Sequence, residues 1–477
     1  MTNKIRQSLM VLCSVVCVGY LTYRGLYTLN LSSAYAITAS WLLYLAEIWG
    51  TVSLLLFMMQ VWDPSEPPEQ PPLEEGQVDV FVPSFNEDIA ILRGTLQACS
   101  AMDYPHRTFL LDDGNRKEMK LLCEELGIHY ITRDNNLHAK AGNLNNALDQ
   151  TDGEFVAILD ADHIPEPNFL TKMIGHFRDK EVGMVQSPHA FSNFDTFQGR
   201  VNYEKGRFWD EGLLFYKVIQ PGRNATNSVI FAGSAAVFRR KALQEVGYIA
   251  TETITEDMHT GIRMSAHGWR TVYVSERLIA GQGAADVTTY HSQRLRWAEG
   301  NLSILRYDNP LTIRGLDLGQ RLTYFASIIH WAGGIPRLAL YLTPVLMLLS
   351  GVAPVAEITT TLVAIFLTYL ATMMLTLRVI YRGYTNYDLI EFFNMANFWT
   401  QIRSTWRAFF RKRKAKFVVT HKRGGRQGSP LPHVLPQILL LAALWCSLVF
   451  GWVRHLLFDP HLYLTGLVLA TFLFLPP

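Results

Sequence analysis

Cysteine is scarce: the chain has five in 477 residues, with no CxxC pair and no metal-ligand spacing. That excludes a disulfide-built scaffold and a cysteine-ligated metal centre. Charge of one sign is also missing, since 43 Lys and Arg stand against 41 Asp and Glu for a net +2. Overall charge therefore points to no nucleic-acid partner. No internal repeat is visible and no GxxxxGK[ST] occurs, which removes solenoid architectures and P-loop nucleotide binding. Residues 351–358 lack Lys and Arg altogether.

Long hydrophobic runs, by contrast, are plentiful at both ends. They cover 8–23, 36–62, 334–353, 356–380, 433–453 and 459–476, each near the roughly 20 residues that cross a bilayer as a helix. Lys4 and Arg6 precede the first run, and ten Lys and Arg lie between Arg403 and Arg426. Six spans with both termini in the cytosol satisfy this asymmetry and place 63–330 in the cytosol. A cleavable leader is the rival for the first run, because Ala34-Tyr35-Ala36 resembles a cleavage site; the middle region stays cytosolic under either reading. Cys13 and Cys17 share one helical face inside the first run. Residues 63–76, DPSEPPEQPPLEEG, read as a proline-rich acidic tether that does not pack and holds the soluble region off the membrane.

From about 78 to 300 the composition is that of a soluble α/β domain. VDVFVPS, RTFLLDD, IHYITRD and VAILD are apolar runs without polar alternation, separated by helical patterns, which implies a parallel sheet with crossover helices. Three of these strands end in polar clusters: Asn86-Glu87, Asp112-Asp113 and Asp160-Ala161-Asp162. Ligands collect at the carboxyl edge of such sheets. On an extended chain Asp160 and Asp162 face the same way and repel unless a cation lies between them. Two hard oxygen ligands fit Mg²⁺ or Mn²⁺ bridging to a diphosphate, and Lys140 adds positive potential. Without a P-loop, such a site points to a nucleotide-sugar. Farther on, Thr255-Glu256-Asp257 reads as a helix start. In HSQRLRWAEGN a helix puts Gln293, Arg296 and Trp297 on one face, with a guanidinium for phosphate and an indole for a sugar ring.

The order DDG, KAGNLN, DAD, TED and QRLRW between the second and third spans resembles the processive family-2 glycosyltransferases, the bacterial cellulose synthases above all. YDNPLTIRGLDLGQRLTYF, GIPRL and FVVTHKRG continue the likeness. It implies a multi-pass α-helical membrane protein of the cell membrane with an inserted GT-A-like cytosolic α/β domain. The arrangement would be two spans in 1–62, a linker at 63–77 and a catalytic domain at 78–315. An interfacial helix and two spans would occupy 316–380, an interfacial helix and gating loop 381–432, and two spans 433–477.

The resemblance also implies roles. Asp112 and Asp113 would hold the uridine of a UDP-sugar, with Glu87 nearby. Lys140 and Asp160 would contact the diphosphate, and Asp160 with Asp162 the metal. Asp257 would be the general base. Gln293 and Arg296 would steady the leaving UDP, with Thr420 and Lys422 closing over the donor from the gating loop. Trp297, Glu256 and Ala232 would meet the acceptor glycan. The implied activity is inverting polymerisation of a β-glucan from UDP-glucose and its export through the spans. Its partners would be the donor, the growing glycan, lipid and an accessory membrane or periplasmic subunit.

Two departures stand out. Phe231-Ala232-Gly233-Ser234 carries Ala where cellulose synthases read Cys, which opens the linkage to other β-glycans: chitin, hyaluronan, curdlan or mixed-linkage glucan. No cyclic-di-GMP-binding module follows the last run, so the expectation is constitutive activity or control by a separate chain. A polyprenyl-phosphate glycosyltransferase is a further alternative, disfavoured by QRLRW. A non-catalytic transporter or scaffold is disfavoured by the intact Asp160, Asp162 and Asp257.

Overall fold

The computed structural model describes residues 3–190, 203–204, 207–208, 212–284, 286–411 and 429–457. The chain divides into two compact units. Met1–Trp62, Ile329–Trp406 and Arg426–Pro477 form one, and Asp63–Ile328 with Arg407–Gly425 the other.

The first unit is helical. Its elements are α1 (Asn3–Tyr27) and α2 (Ala34–Gln60), and later in the chain the helices Gly334–Ser350, Thr360–Tyr381, Tyr387–Phe410 and Leu431–Leu457. Among the described residues four helices are long and apolar enough to cross a membrane: Asn3–Tyr27, Ala34–Gln60, Thr360–Tyr381 and Leu431–Arg454. A fifth candidate joins Leu318–Ala332 to Gly334–Ser350 across a bend. The sixth expected span, 459–476, lies outside the described residues. Helices α1 and α2 are locked by a buried polar cluster: Arg24 Nε donates to Glu47 Oε2 at 3.0 Å, and Tyr20 Oη donates to Glu47 Oε1 at 2.9 Å. Arg24 is 2% exposed, so neither charge can be removed alone without stranding the other in an apolar setting. The loop after α1 pairs with residues 353–356. Asn30 Nδ2 donates to Ala353 O (2.8 Å), Ser40 Oγ to Pro354 O (2.6 Å), and Ala356 N to Thr28 O (2.9 Å). These two loops therefore share one end of the unit. At the opposite end Arg6 Nη2 donates to Trp62 O (2.6 Å).

The second unit is built on a seven-stranded sheet in the order β10-β6-β9-β4-β1-β2-β3. The strands of that sheet are β1 (Val78–Ser84), β2 (His106–Asp112), β3 (His129–Ile131), β4 (Phe155–Ile158), β6 (Val182–Gln186), β9 (Ala236–Arg239) and β10 (Arg270–Tyr273). Two small pairs lie outside it: β5 (Ile164–Pro165) with β11 (Ile279–Ala280), and β7 (Tyr203–Glu204) with β8 (Arg207–Phe208). All seven residues of β1 are buried, because apolar clusters cover both faces of the sheet. This is why the strand reads as an unbroken apolar run rather than an alternating one.

β3, β2, β1 and β4 are parallel, as the sequence implies. β9 is not: it runs antiparallel to both β4 and β6, so the sheet is mixed and the expectation of a parallel one is corrected. The reason is local. The turn before β9 holds Gly233 at φ +87° and Ala235 at φ +56°, and it delivers the chain to the carboxyl edge of β4. Ala236 there pairs with Ile158 and Gln186. The start of β9, rather than its end, thus joins the ligand edge.

The linker is also corrected. Lys172 Nζ donates to Glu69 Oε1 (2.5 Å), Arg178 Nη2 to Pro72 O (2.9 Å) and Asn224 Nδ2 to Ser65 O (2.8 Å). A Cβ on Gly175 would lie 2.5 Å from the carbonyl oxygens of Gln70 and Pro71. Proline lacks an N–H but keeps its carbonyl acceptor, and with these bonds residues 65–73 form a docked strap.

Candidate active site

β4 ends at Ile158, and the next residues turn. His163 N donates to Asp160 O at 3.0 Å. Asp160 and Asp162 therefore do not lie on an extended chain, which corrects the expectation drawn from their spacing. The turn gathers them with His163 so that one ligand atom from each lies within 4.8 Å of the others. Two carboxylates and an imidazole form a group able to hold a divalent cation. Neighbouring loops fix it. Lys140 Nζ donates to Asp160 Oδ1 (2.5 Å) and to Gly233 O (2.6 Å). Ser234 Oγ accepts from Asp160 N (2.9 Å) and exchanges a hydrogen bond with His163 Nδ1 (2.7 Å). Burial and the neighbouring His163 push His189 down to about 3, so it stays neutral and donates from Nε2 to Ser234 O (2.9 Å). Gly281 fits against His163, where a Cβ would meet the ring at 2.2 Å.

At the ends of β1 and β2, Ser84 and Asp112 are in register. Asp112 is fully buried. It accepts from Arg116 Nη2 (2.7 Å), Arg116 N (2.7 Å), Gly114 N (3.2 Å) and Tyr130 Oη (2.9 Å). Its carboxylate is thus engaged in closing the turn. Asp113 takes a two-pronged ion pair from Arg133 at 2.6 and 2.7 Å. Arg133 also holds Leu137 O and Ala139 O, fixing the start of the helix Ala139–Gln150 that carries Lys140. Gly142 is required there, since a Cβ would lie 2.1 Å from Leu137 O. Glu87 Oε2 accepts from Ser84 Oγ and Phe85 N, both at 2.8 Å.

Asp257 is the second residue of the helix Glu256–Ala266, with Thr255 at its N-cap position, as the sequence indicates. A Cβ on Gly233 would lie 3.0 Å from Asp257 Oδ2, so the turn before β9 touches both the Asp160 group and Asp257. Burial, then the adjacent Glu256 carboxylate, raise the Asp257 pKa to about 7, while Lys140 and Arg296 oppose the rise. Gln293, Arg296 and Trp297 lie on the helix Val287–Tyr307, whose N-cap Asp286 accepts from Thr289 N at 2.9 Å. Gly300 lets this helix approach the N-cap, because a Cβ there would meet Thr255 Cγ2 at 2.5 Å. A further link is His259 Nε2 with Asp308 Oδ2 at 2.7 Å. Ala232 N donates to Gln186 Oε1 at 3.0 Å. Thr420 and Lys422 lie outside the described residues.

The sequence assigned no role to His163, Gln186, His189, Ser234, Gly233 or Arg133. His163 directly follows the two aspartates and is a metal-ligand type, and Ser234 ends the Phe-Ala-Gly-Ser run. Both were legible in principle. Gln186 and Arg133 reach the edge only through sheet order and a turn.

Residues 155–381 match a family described as Glycosyl transferase family group 2. The chain is 35% identical over 459 residues, 93% of its length, to "Cellulose synthase catalytic subunit [UDP-forming]" of Pseudomonas fluorescens. It is 40% identical over 331 residues, 68% of its length, to the protein of that name from Xanthomonas axonopodis pv. citri. To "Cellulose synthase 2" of Novacetimonas hansenii it is 36% identical over 473 residues, 94% of its length. The chain spans 61%, 45% and 29% of these relatives' own lengths. Among solved structures it resembles the mannosyltransferase PcManGT from Pyrobaculum calidifontis, in complex with GDP-Man and Mn²⁺. The TM-score is 0.52 at 19% identity, over 80% of this chain and 99% of that one. That likeness establishes a shared GT-A-like fold.

Proposed function

We propose that this chain, which carries a glycosyl transferase family group 2 domain over residues 155–381, is a processive inverting glycosyltransferase. It polymerises a cellulose-like β-1,4-glucan from UDP-glucose at the cytosolic face of the cell membrane and passes the product through its own spans. One observation carries the reading: a single turn, 231–235, touches the Asp160–Asp162–His163 group on one side and Asp257 on the other. A cation-binding group beside a carboxylate of raised pKa is what transfer from a nucleotide-sugar to a hydroxyl requires.

Asp160, Asp162 and His163 would hold Mg²⁺ or Mn²⁺; the imidazole favours Mn²⁺, which takes nitrogen ligands more readily. The ion supplies charge neutralisation for the diphosphate. Asp113 faces the nucleoside end, while Asp112 and Glu87 hold the turns around it. Asp257 accepts the proton of the acceptor hydroxyl as that oxygen attacks the anomeric carbon. Lys140 and Arg296 stabilise the departing UDP, so no second carboxylate acid is needed. One direct displacement inverts the centre, and an α-linked donor gives a β-linkage. Trp297 offers its indole to the acceptor sugar. The test is to supply purified full-length protein with each UDP-sugar and Mg²⁺ or Mn²⁺, then to digest the product with linkage-specific hydrolases. A polymer from UDP-glucose cleaved by a β-1,4-glucanase is expected. Polymer only from another UDP-sugar, or resistance to that enzyme, overturns the substrate and the linkage respectively.

A further inference from the structure

The helix carrying Trp297 holds an arrangement that this reading does not use. The guanidinium of Arg294 lies over the indole of Trp297, 4.5 Å from the ring centroid. It also lies 5.0 Å from the ring centroid of Tyr290, and Tyr290 is 1% exposed. Tyr290, Arg294 and Trp297 follow the i, i+4, i+7 spacing of one helical face. The result is a ladder: a buried ring, a planar cation on it, and a partly exposed ring on the cation. A guanidinium suits this place because it is flat, weakly hydrated and attracted to aromatic faces. Tyr290 cannot move without disturbing the core, so it anchors the ladder from below.

An indole has two faces, and here Arg294 covers one of them. We propose that Arg294 is a positioning residue that clamps Trp297. The acceptor glycan is thereby confined to the opposite face of the indole and held between successive additions. The inference rests on the glycan-polymerising reading above. A free indole swings about two torsions, and sugar stacked on it dissociates more readily, because each binding event must then order the ring. The clamp removes that cost in advance. It acts on retention of the acceptor and leaves the donor side alone.

Two measurements on full-length protein test this. Acrylamide quenching of tryptophan fluorescence, taken as the difference between a protein and its Trp297→Phe derivative, isolates Trp297 from the other ten tryptophans of the 11 present. Arg294→Ala should raise the quenching of Trp297, Arg294→Gln should do so less, and Arg294→Lys least. Product length is the second readout: Arg294→Ala should give polymer severalfold shorter at an unchanged KM for the UDP-sugar. Unchanged quenching overturns the clamp. Raised quenching with wild-type product length overturns its role in retention, as does a shorter product accompanied by a raised donor KM, which marks a general structural defect. Should wild-type protein make no polymer from any UDP-sugar, the parent reading fails and the acceptor role fails with it. The quenching difference would still show whether Arg294 covers the indole.

Discussion

At the scale of single residues, Asp257 carries the most chemistry. A base must be ionised to work, and burial with Glu256 places its pKa at about 7. Under the proposed mechanism, kcat/KM therefore rises tenfold per pH unit on the acid side and levels off above about pH 7. The neighbours give the sign of the next change. Glu256→Gln removes a negative charge that disfavours the carboxylate, so the acid limb moves to lower pH. An inflection that stays put or rises rejects Asp257 as the titrating base. Asp257→Asn should slow transfer about 10²–10⁴-fold while UDP-sugar binding survives; an active Asn variant overturns the assignment. Asp162→Ala tests the cation. Donor binding measured by calorimetry should lose its dependence on Mn²⁺, and full UDP affinity of the unmutated protein in EDTA counts against the metal role.

At the scale of elements, one glycine sets how closely two pieces of the site approach. Gly300 lets the Trp297 helix rest on Thr255. Gly300→Ala overpacks this contact and should destabilise by about 1–3 kcal/mol. Thr255→Ser, which deletes the nearest methyl group, should recover much of the loss in a double-mutant cycle followed by thermal unfolding. If the two effects simply add, the contact is not what makes Gly300 necessary. The same scale explains what was legible in the sequence. β1, β2 and β4 were readable because burial on both faces leaves an unbroken apolar run, and the Asp257 and Trp297 helices because their motifs sit at helical spacing. The reversed β9 was not readable: four residues, Ala236–Arg239, carry no directional signal, and the direction comes from positive φ at Gly233 and Ala235. The Asp160–Asp162 geometry was misjudged for a similar reason. Spacing of i and i+2 fixes a common face only while the chain stays extended, and a single hydrogen bond closing a turn cancels it. The strap was misjudged because proline content reads as stiffness and solvation, whereas docking depends on Lys172, Gly175 and Arg178, a hundred residues away in sequence.

At the scale of the whole molecule, the proposed direction of export requires that the chain cross the membrane in one orientation. Lys4, Arg6 and the basic run from Arg403 to Arg426 favour the cytosolic side, and residues 351–358 offer no positive charge to hold them there. The structure adds an independent constraint within the helical unit. The loop after α1 and residues 353–356 are hydrogen-bonded to each other, so both must lie on the same side, which the proposed orientation puts at the exterior. At the other end of the helical unit Trp62 O is bound by Arg6. In a cysteine-free background, single cysteines at three exposed positions separate the possibilities: Ser32→Cys, Glu357→Cys and Glu74→Cys. In sealed right-side-out membrane vesicles, a membrane-impermeant maleimide should label the first two, and the third only after detergent is added. Labelling of Glu74→Cys alone inverts the orientation and places the donor site outside, where export of a glycan made from a cytosolic UDP-sugar is impossible. Labelling that separates Ser32→Cys from Glu357→Cys breaks the helical unit itself, because the hydrogen bonds between their loops cannot span a bilayer.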